Sequence, residues 1–418
     1  MIVPTKNSPG LWRWVGILLL SVSFPSIAEI AWPGWLGPAR DGWVDDFEAP
    51  APWPKQLDRD WTVEVGSGYG TPLVWKSRVY QHARQGEEEV VLCLDRATGK
   101  TIWKNSQPVS FEIGGGGERH GKGPKSNPYF VHGKVFTYSI TGTLTAWDAQ
   151  TGNLLWHKDH RSQFDKPYPY WGASASPVAD EKRVFVHFGG DEQGFLAAME
   201  IESGRELWRQ GRSGASYSSP LVVTLYETPQ VIDWDHESIS GVEIDSGRVL
   251  WDYPLPHRGT NQNMPTPSIY EGLVLVGGEN RGLYGLTPKL EEGIWRVEER
   301  WHQRRVALDM STAIVQDGAL YGFSHLGLGR LFCVSIHDGS ILWQGPGRAG
   351  QNATFLNIKE QVIVLMDDGR LKIIAASKDR LHVLREYVVS ERSTWAAPVL
   401  LEEGFLIKDA SHLTLWKF

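Results

Sequence analysis

The chain has 418 residues, of which 41% are hydrophobic, and this proportion excludes an intrinsically disordered protein. Its formal net charge is −7, which makes it a poor candidate for nucleic-acid binding, because that function needs a basic surface. The 45 glycines and 24 prolines indicate a fold with many turns.

Residues 1–28 have the features of a secretory signal peptide. Lys6 and Arg13 supply positive charge, residues 14–24 are apolar, and Ser26-Ile27-Ala28 places small residues at the cleavage positions. The apolar stretch is shorter than the ~20 residues that a membrane-spanning helix needs, which favours a signal over a membrane anchor. No cysteine lies near Ala28 to carry a lipid. We therefore predict a protein exported to the periplasm or beyond, with no transmembrane segment after signal removal.

An eleven-residue motif recurs along the rest of the chain. It has a small residue first, Asp or Glu third, Thr or Ser and then Gly at positions six and seven, and Trp last, although the copy at 333–343 has Ser335 third and Asp338 sixth. The polar residues and glycine favour a tight turn, so each copy predicts a β-hairpin. The copies lie at 93–103, 146–156, 198–208, 241–251 and 333–343, with weaker ones at 285–295 and at 373–383, where Val383 replaces the tryptophan.

A second unit precedes each hairpin. It consists of Ser or Thr followed by Pro and then by β-branched strands, as at Thr71-Pro72, Ser176-Pro177, Ser219-Pro220 and Thr266-Pro267. Two hairpins make a four-stranded sheet, and the motif tryptophans are 43 to 53 residues apart. This interval is typical of the blades of a β-propeller.

The number of blades follows from the two ends of the repeat region. Seven full units occupy residues 70–387, and an eighth begins at Trp395 but ends before its fourth strand. Trp61 has the motif position without a preceding hairpin, so residues 61–65 are expected to complete blade eight and close the ring. We predict an all-β, eight-bladed propeller of four-stranded antiparallel blades over residues 58–418.

The motif tryptophans are expected to be structural, packed between neighbouring blades, rather than a carbohydrate-binding platform. They are Trp61, Trp103, Trp156, Trp208, Trp251, Trp295 and Trp343. Cys93 and Cys333 occupy equivalent positions in blades one and six, much further apart than the ~7 Å limit for a disulfide. We therefore predict two buried free thiols.

The repeat resembles the tryptophan-docking motif of pyrroloquinoline-quinone (PQQ)-type propellers, and residues 146–156 match it at every defined position. Residues 32–42, WPGWLGPARDG, lie in a predicted lead-in segment, residues 29–57, and are similar to a lead-in of secreted bacterial PQQ-like proteins. The resemblance implies one of two kinds of member. One is the quinoprotein alcohol dehydrogenases, and the other is the non-catalytic propellers, such as the scaffold subunit of the outer-membrane β-barrel assembly machinery.

For a dehydrogenase the resemblance implies calcium held by acid and amide side chains, a catalytic aspartate and, in many members, PQQ stacked against adjacent cysteines. This chain has no adjacent cysteines, and no motif identifies a calcium set or an aspartate base. The scaffold subunit is usually lipid-anchored, and this chain lacks that cysteine. We expect a non-catalytic binding or scaffold protein without a metal or cofactor. The alternative is a PQQ- and calcium-dependent alcohol or aldose dehydrogenase with a divergent site.

The loops between successive blades emerge on one face and are rich in arginine and aromatic residues. Such residues could line the mouth of the central channel and bind an anion, since arginine suits bidentate recognition of carboxylates. Alternatively, they are solvated arginines paired with nearby acids. The candidate ligand-binding residues are Arg119, His120, Arg161, Trp171, Arg212, Tyr217, Arg258, Arg304, Arg348, Arg392 and Trp395.

Two further motifs give weaker indications of function. The glycine-rich segment 114–121 does not connect a strand to a helix, so a flexible loop or a lid over the channel is favoured over a phosphate-binding loop. His157 and His160 lack a third ligand and are expected to be solvated. The expected partner is a protein or a small anionic ligand in the cell envelope, with a protein bound by edge-strand addition or by the loop face. We expect a monomer.

Overall fold

Eight antiparallel sheets surround a central channel in the computed structural model, which describes residues 31–45, 47–211, 213–259 and 262–418. The predicted signal peptide and Arg212 therefore lie outside the described residues. Neither of the short 3₁₀ helices described, Glu118–His120 and Arg161–Gln163, has the length or apolar character needed to cross a membrane.

The strands are, in chain order, β1 (Ala31–Trp32), β2 (Asp58–Glu64), β3 (Leu73–Trp75), β4 (Arg78–Gln85), β5 (Glu88–Asp95), β6 (Thr101–Pro108), β7 (Tyr129–Val131), β8 (Lys134–Tyr138), β9 (Thr143–Asp148), β10 (Leu154–Asp159), β11 (Val178–Ala179), β12 (Arg183–Gly189), β13 (Gly194–Glu200), β14 (Glu206–Gln210), β15 (Leu221–Leu225), β16 (Thr228–Trp234), β17 (Ser238–Glu243), β18 (Val249–Pro254), β19 (Ser268–Tyr270), β20 (Leu273–Gly278), β21 (Gly282–Glu291), β22 (Ile294–Gln303), β23 (Ile314–Gln316), β24 (Ala319–Ser324), β25 (Arg330–Ser335), β26 (Ile341–Gln344), β27 (Ala353–Ile358), β28 (Gln361–Met366), β29 (Arg370–Ala375), β30 (Val383–Val388), β31 (Val399–Leu401), β32 (Gly404–Lys408) and β33 (His412–Lys417).

Each blade uses four consecutive strands, except at the point of ring closure. Blade one is β3–β6, with β1 added beside β3, and blades two to seven follow in order from β7 to β30. Blade eight consists of β31, β32 and β33, and its outermost strand is β2. The prediction of an all-β, eight-bladed propeller is therefore confirmed.

Ring closure depends on the pairing of β2 with β33. Trp61 lies opposite Leu415, and the hydroxyls of Thr62 and Thr414 are 3.1 Å apart. The antiparallel ladder runs from Asp58 to Glu64, so the predicted closing strand is present and begins three residues earlier than expected.

The hairpin motif explains how one blade is joined to the next. In blade two the Asp148 carboxylate accepts hydrogen bonds from the Thr151 amide and hydroxyl, each 2.7 Å, and Gly152 has a φ of +78°. The Trp103 ring of blade one lies on this turn, and a Cβ at Gly152 would come within 2.5 Å of it. The Trp103 indole N–H donates to the Ala149 carbonyl (3.3 Å). Glycine is therefore needed both for the turn and for the tryptophan.

The same indole-to-carbonyl bond to the following blade recurs around the ring. The other bonds are Trp61 to Arg96 (3.0 Å), Trp156 to Ile201 (3.0 Å), Trp208 to Ile244 (3.0 Å), Trp301 to Ile336 (2.7 Å) and Trp343 to Ser377 (2.8 Å). Trp251 instead donates to the Gln230 side chain of its own blade (2.8 Å). Six of the seven predicted structural tryptophans therefore donate an indole hydrogen bond to the next blade or within their own blade.

Trp295 does not hold the docking position that the motif predicts for it, although it packs against the hydrophobic cluster between blades four and five and contacts the Tyr226 ring edge-on. The β21–β22 hairpin of blade five has ten residues in each strand, and Trp301, not Trp295, lies opposite Gly285. Trp103 lies opposite Cys93 in the same way in blade one. The six additional residues of the hairpin place Trp295 farther out. Blade seven also differs, because Arg385 lies opposite Ile373 at the tryptophan position, two residues after Val383.

Both cysteines are buried and unbonded, as predicted. Cys93 is in β5 of blade one, and Cys333 is in β25 of blade six. Burial raises the pKa of the Cys93 thiol to about 11 and that of Cys333 to about 12, so both remain protonated at neutral pH.

Candidate ligand-binding site at the channel mouth

Polar groups at the start of the innermost strands form a nearly continuous ring around the channel. The backbone N–H of one blade donates to the side chain of the equivalent residue in the next blade. The bonds are Ala397 to Thr71 (3.1 Å), Thr71 to Asn127 (2.7 Å), Asn127 to Ser176 (3.0 Å), Ser176 to Ser219 (2.9 Å), Ser219 to Thr266 (3.2 Å) and Thr266 to Thr312 (3.0 Å). We call these residues the inner polar ring. Four of them are the Ser and Thr residues of the predicted Ser/Thr-Pro units.

A cavity of about 370 Å³ lies at this ring, and the loops between the blades form its walls. Residues of the inner polar ring line it together with Asn352 and Thr354. The Thr354 hydroxyl has no hydrogen-bond partner among the described residues. The base of the cavity thus offers polar groups to a ligand, and at least the Thr354 hydroxyl is free to bind one.

One aromatic cluster stands on the side of blades eight and one. Tyr69 stacks on Trp395 with ring centroids 5.4 Å apart, and the His120 ring contacts both edge-on. Arg119 Nε donates to His120 Nε2 (3.1 Å), so Nδ1 carries the proton and donates to Tyr69 Oη (3.0 Å). Burial, and then the positive charges of Arg119 and Lys125, lower the pKa of His120 to about 4. His120 is therefore neutral at physiological pH.

A second aromatic cluster stands on the side of blades three and four and holds the glycine-rich loop. The Trp171 amide donates to Tyr217 Oη (3.1 Å), and its indole N–H donates to the Gly115 carbonyl (3.2 Å). Tyr170 Oη accepts the Gly115 amide (2.9 Å). Gly117 lines the cavity, and a Cβ there would approach the Trp171 ring to 2.8 Å. The loop therefore lies over the cavity edge, where the sequence suggested a lid.

Cations and acids occupy different walls of the cavity. Arg119 and Lys125 belong to the loop between blades one and two, whereas Glu279 and Asp309 belong to blade five and to the loop that follows it. Burial lowers the pKa of Lys125 to about 8. Burial raises the pKa of Asp309 to about 6, although the positive charge of Arg119 acts to lower it. Burial and, to a smaller extent, the negative charge of Asp309 raise the pKa of Glu279.

The lead-in segment closes the base of the cavity. β1 lies beside β3, and Trp35 and Leu36 line the cavity. The segment then bonds to blades two, three, six and seven. These bonds are Phe130 N to Pro33 O (2.7 Å), Arg40 Nη1 to Pro177 O (3.1 Å), Trp43 Nε1 to Val315 O (3.2 Å) and Val44 N to Asn357 O (3.0 Å). The channel therefore has its open mouth on the face of the long loops.

The structure brings five of the predicted ligand-binding residues to the cavity, namely Arg119, His120, Trp171, Tyr217 and Trp395. It does not bring Arg161, Arg258, Arg304, Arg348 or Arg392 there, and all five are exposed. Arg161 pairs with Asp159 (2.6 Å) and Arg392 lies 3.6 Å from Asp409, as the solvated alternative expects. Sequence reasoning missed Trp35, Leu36, Lys125, Glu279 and Asp309. A ligand-binding role for the five residues stays a prediction.

For a dehydrogenase the resemblance implies a calcium site of acid and amide side chains, and the cavity lining includes both kinds, Glu279 and Asp309 with Asn127 and Asn352. Among the described residues, no group of three or more His, Cys, Asp or Glu side chains could hold a metal ion. Glu279 and Asp309 are the only carboxylates among the residues that line the cavity. The aromatic clusters and the two cations could receive a planar, carboxylate-rich cofactor such as PQQ, whose calcium would have to be held by the two acids together with amide side chains.

The docked tryptophans, the eight blades and the channel-mouth cavity define a propeller of the PQQ-repeat type. A family model described as "Outer membrane protein assembly factor BamB" matches residues 87–345, well over half of the chain, and the chain belongs to this family.

Relatives of two kinds are similar to this chain. Outer membrane protein assembly factor BamB of Moranella endobia is 22% identical over 342 residues, which cover 79% of this chain and 84% of that protein. Quinohemoprotein alcohol dehydrogenase ADH-IIG of Pseudomonas putida is 32% identical over 166 residues, which cover 38% of this chain and 20% of that protein. The chain thus spans a fifth of the length of this dehydrogenase.

A solved structure with the same fold is the quinohemoprotein alcohol dehydrogenase from Comamonas testosteroni. The two chains superpose with a TM-score of 0.68 at 14% identity, and the match covers 93% of this chain and 80% of the dehydrogenase chain. At this identity the likeness shows the fold alone.

Proposed function

We propose that this chain is an exported, non-catalytic binding protein of the cell envelope, which uses the loop face around the channel mouth to bind a protein partner or a small ligand. The observation that carries the proposal is the 370 Å³ cavity, where two aromatic clusters and an inner polar ring face a space with one open mouth. Concave, partly aromatic sites with a few fixed polar groups are the usual form of ligand sites. The match to the BamB family model over residues 87–345 supports the non-catalytic assignment.

The lip of the cavity has the side chains that a protein partner would contact. Tyr170 is 55% exposed beside Trp171, and Arg119 is exposed above His120. Tyrosine, tryptophan and arginine are enriched among the residues that dominate binding energy at protein interfaces. The loop face is therefore a better candidate for partner binding than the outer blade surfaces.

A photo-crosslinking experiment in the native envelope tests this surface. Tyr170 at the lip and Tyr226 in the β15–β16 turn of blade four are 55% and 52% exposed, which makes them a matched pair. Each is replaced by a photoreactive phenylalanine derivative, and the cross-linked products are compared by mass. We expect a specific product at position 170 and none at position 226. Equal labelling at both positions, or none at position 170, would contradict the loop-face proposal.

Export is tested on the same material. The intact protein recovered from the envelope is expected to begin at Glu29, because cleavage after Ala28 fits the predicted signal peptide. Mass spectrometry of the intact chain gives the answer directly, and a protein that retains residues 1–28 would contradict it.

A PQQ-dependent dehydrogenase is the second candidate, and the Asp309 carboxyl favours it. This group lines the cavity with a pKa raised to about 6, which suits a general base near neutral pH. The test is incubation with PQQ and Ca²⁺, followed by dye reduction with alcohols and aldoses. We expect no turnover. Turnover that is lost in Asp309→Asn would replace the non-catalytic proposal with this one.

A further inference from the structure

The cavity carries opposite charges on opposite walls. Arg119 and Lys125 come from the loop between blades one and two, and Asp309 comes from the loop between blades five and six. Four blades separate these loops in a ring of eight, so the two groups of charges face each other across the channel. Glu279, from blade five, adds a second carboxylate to the acidic wall.

The two acids of this wall have no direct ion-pair partner in the part of the chain that the structure describes, although the charges of Arg281 and His325 act on Glu279 and that of Arg119 acts on Asp309. Among the described residues, neither Glu279 nor Asp309 forms a salt bridge or a side-chain hydrogen bond. Arg119 donates only to the neutral His120 ring, and Lys125 only to the Trp171 backbone carbonyl. Partly buried carboxylates without an ion-pair partner are costly, so a cationic group beside Glu279 and Asp309 would be stabilising, and the exposed guanidinium of Arg119 is free to bind a carboxylate at the other wall.

The aromatic clusters flank the line between the two walls. Tyr69 and Trp395 lie on one side of the cationic loop, and Trp171 and Tyr217 lie on the other. Aromatic faces at these positions would contact an apolar or aromatic part of a ligand whose charged ends reach the two walls.

We propose that the cavity binds a zwitterion of about dipeptide size, with its carboxylate at Arg119 and its ammonium group at Glu279 and Asp309. This inference rests on the binding function proposed above and names the ligand class of the same site. A purely anionic ligand would leave the two acids unpaired, and a purely cationic one would face Arg119. A zwitterion satisfies both walls, and its middle portion would lie between the aromatic clusters.

Glycyl-phenylalanine is a suitable probe, because its amine and carboxylate are at opposite ends and its ring is next to the carboxylate. Affinity is measured by calorimetry and by the fluorescence of the cavity tryptophans, in comparison with N-acetyl-glycyl-phenylalanine and glycyl-phenylalanine amide. Each blocked peptide lacks one charge. We expect each block to weaken binding at least about tenfold, as is usual when a charged, partly buried partner is lost.

Two variants assign the ends of the ligand. Asp309→Asn should abolish most of the preference for the free peptide over the N-acetylated one and keep the preference over the amide. Arg119→Gln should do the reverse. Arg348→Gln is the matched control, because Arg348 is an exposed arginine outside the cavity. Melting curves of the three variants check that each remains folded.

Similar affinities for all three peptides, or no saturable binding of the free peptide at millimolar concentration, would overturn the zwitterion. Tight binding of the N-acetyl peptide alone would mean an anionic ligand and would also overturn it. In each of these cases the proposed binding function is judged separately by the Tyr170 cross-link, which does not depend on the peptide.

Discussion

The blades are joined differently at the outer and inner edges of the ring. At the outer edge, Trp156 is buried on Gly204 of the next blade and donates one hydrogen bond to the Ile201 carbonyl. At the inner edge, the Ser176 hydroxyl accepts bonds from the amide N–H and the side chain of Asn127. The outer contact buries a large apolar surface, whereas the inner contact uses small groups that leave the channel open. The difference indicates that stability comes mainly from the outer edge and that the inner edge positions the site.

Deleting residues 58–65 breaks the outer edge at ring closure and should have the largest effect. The deletion uncovers the outer edge of β33 and removes Trp61 from its contact with Gly99 of blade one. We expect the melting temperature to fall by more than about 10 °C, measured by circular dichroism. A variant that melts like the parent would show that the ring does not depend on this strand.

Alanine variants of two tryptophans in blade five compare the docking position with a position that only packs against hydrophobic side chains. Trp301→Ala should cost about 3–5 kcal/mol, because Trp301 is 8% exposed and its indole bonds to Ile336. Trp295→Ala, its matched control in the same strand, should cost about 2 kcal/mol less, because Trp295 is only partly buried. Urea unfolding followed by fluorescence gives both values. A larger cost for Trp295 would reverse the assignment.

The inner edge is weakened by Ser176→Ala. The Asn127 amide N–H and side-chain NH₂ lose their acceptor in a buried position, which should cost about 1–3 kcal/mol. Ser77→Ala, in the exposed β3–β4 turn, is the control and should change the free energy of unfolding by no more than about 0.5 kcal/mol. Equal effects in urea unfolding would mean that the inner polar ring has no particular role in stability.

The smallest expected effect is a pH-dependent one at the cavity. The pKa of Asp309 in the folded protein is raised to about 6. Protonation of this carboxyl therefore stabilises the fold fully below the usual carboxyl pKa, and this stabilisation is lost as the pH rises through 6. Asp309→Asn should therefore gain about 1 kcal/mol relative to the parent between pH 4 and 7.5. Asp148→Asn should show the opposite trend, because hydrogen bonds from Thr151 lower the pKa of Asp148. Parallel pH profiles of thermal unfolding would contradict the Asp309 assignment.

Most of the fold could be predicted from the sequence because the outer edge leaves a regular pattern. Each full copy of the motif has its turn glycine four residues before its tryptophan, so the repeat is visible and its blades can be counted, although that glycine receives the tryptophan of the preceding blade. Trp295 misled because the hairpin motif fixes the turn but not the length of the strands on either side. The register of Trp301 opposite Gly285 depends on six additional residues whose pairing only the structure shows.

Less of the site could be predicted, for a geometric reason. A loop's place in the repeat says which face it reaches, but not whether a side chain points into the channel. Arg119 and Arg348 are both arginines in loops between blades, yet only Arg119 lines the cavity. Asp309 and Glu279 could not be predicted because nothing in their sequence context distinguishes them from solvated surface acids. The Ser/Thr-Pro units were a usable signal, since residues repeated at the blade interval must face the same axis.

The lead-in segment has a consequence for the order of assembly. Residues 31–57 leave the ribosome before any blade, yet Trp43 contacts blade six, Val44 contacts blade seven, and the Trp53 indole bonds to Gln361 in β28. The partners of these three residues are absent until the last third of the polypeptide has been made. The base of the cavity is thus completed only by a nearly finished chain, and a prematurely terminated product would display unburied tryptophans that a quality-control protease can recognise.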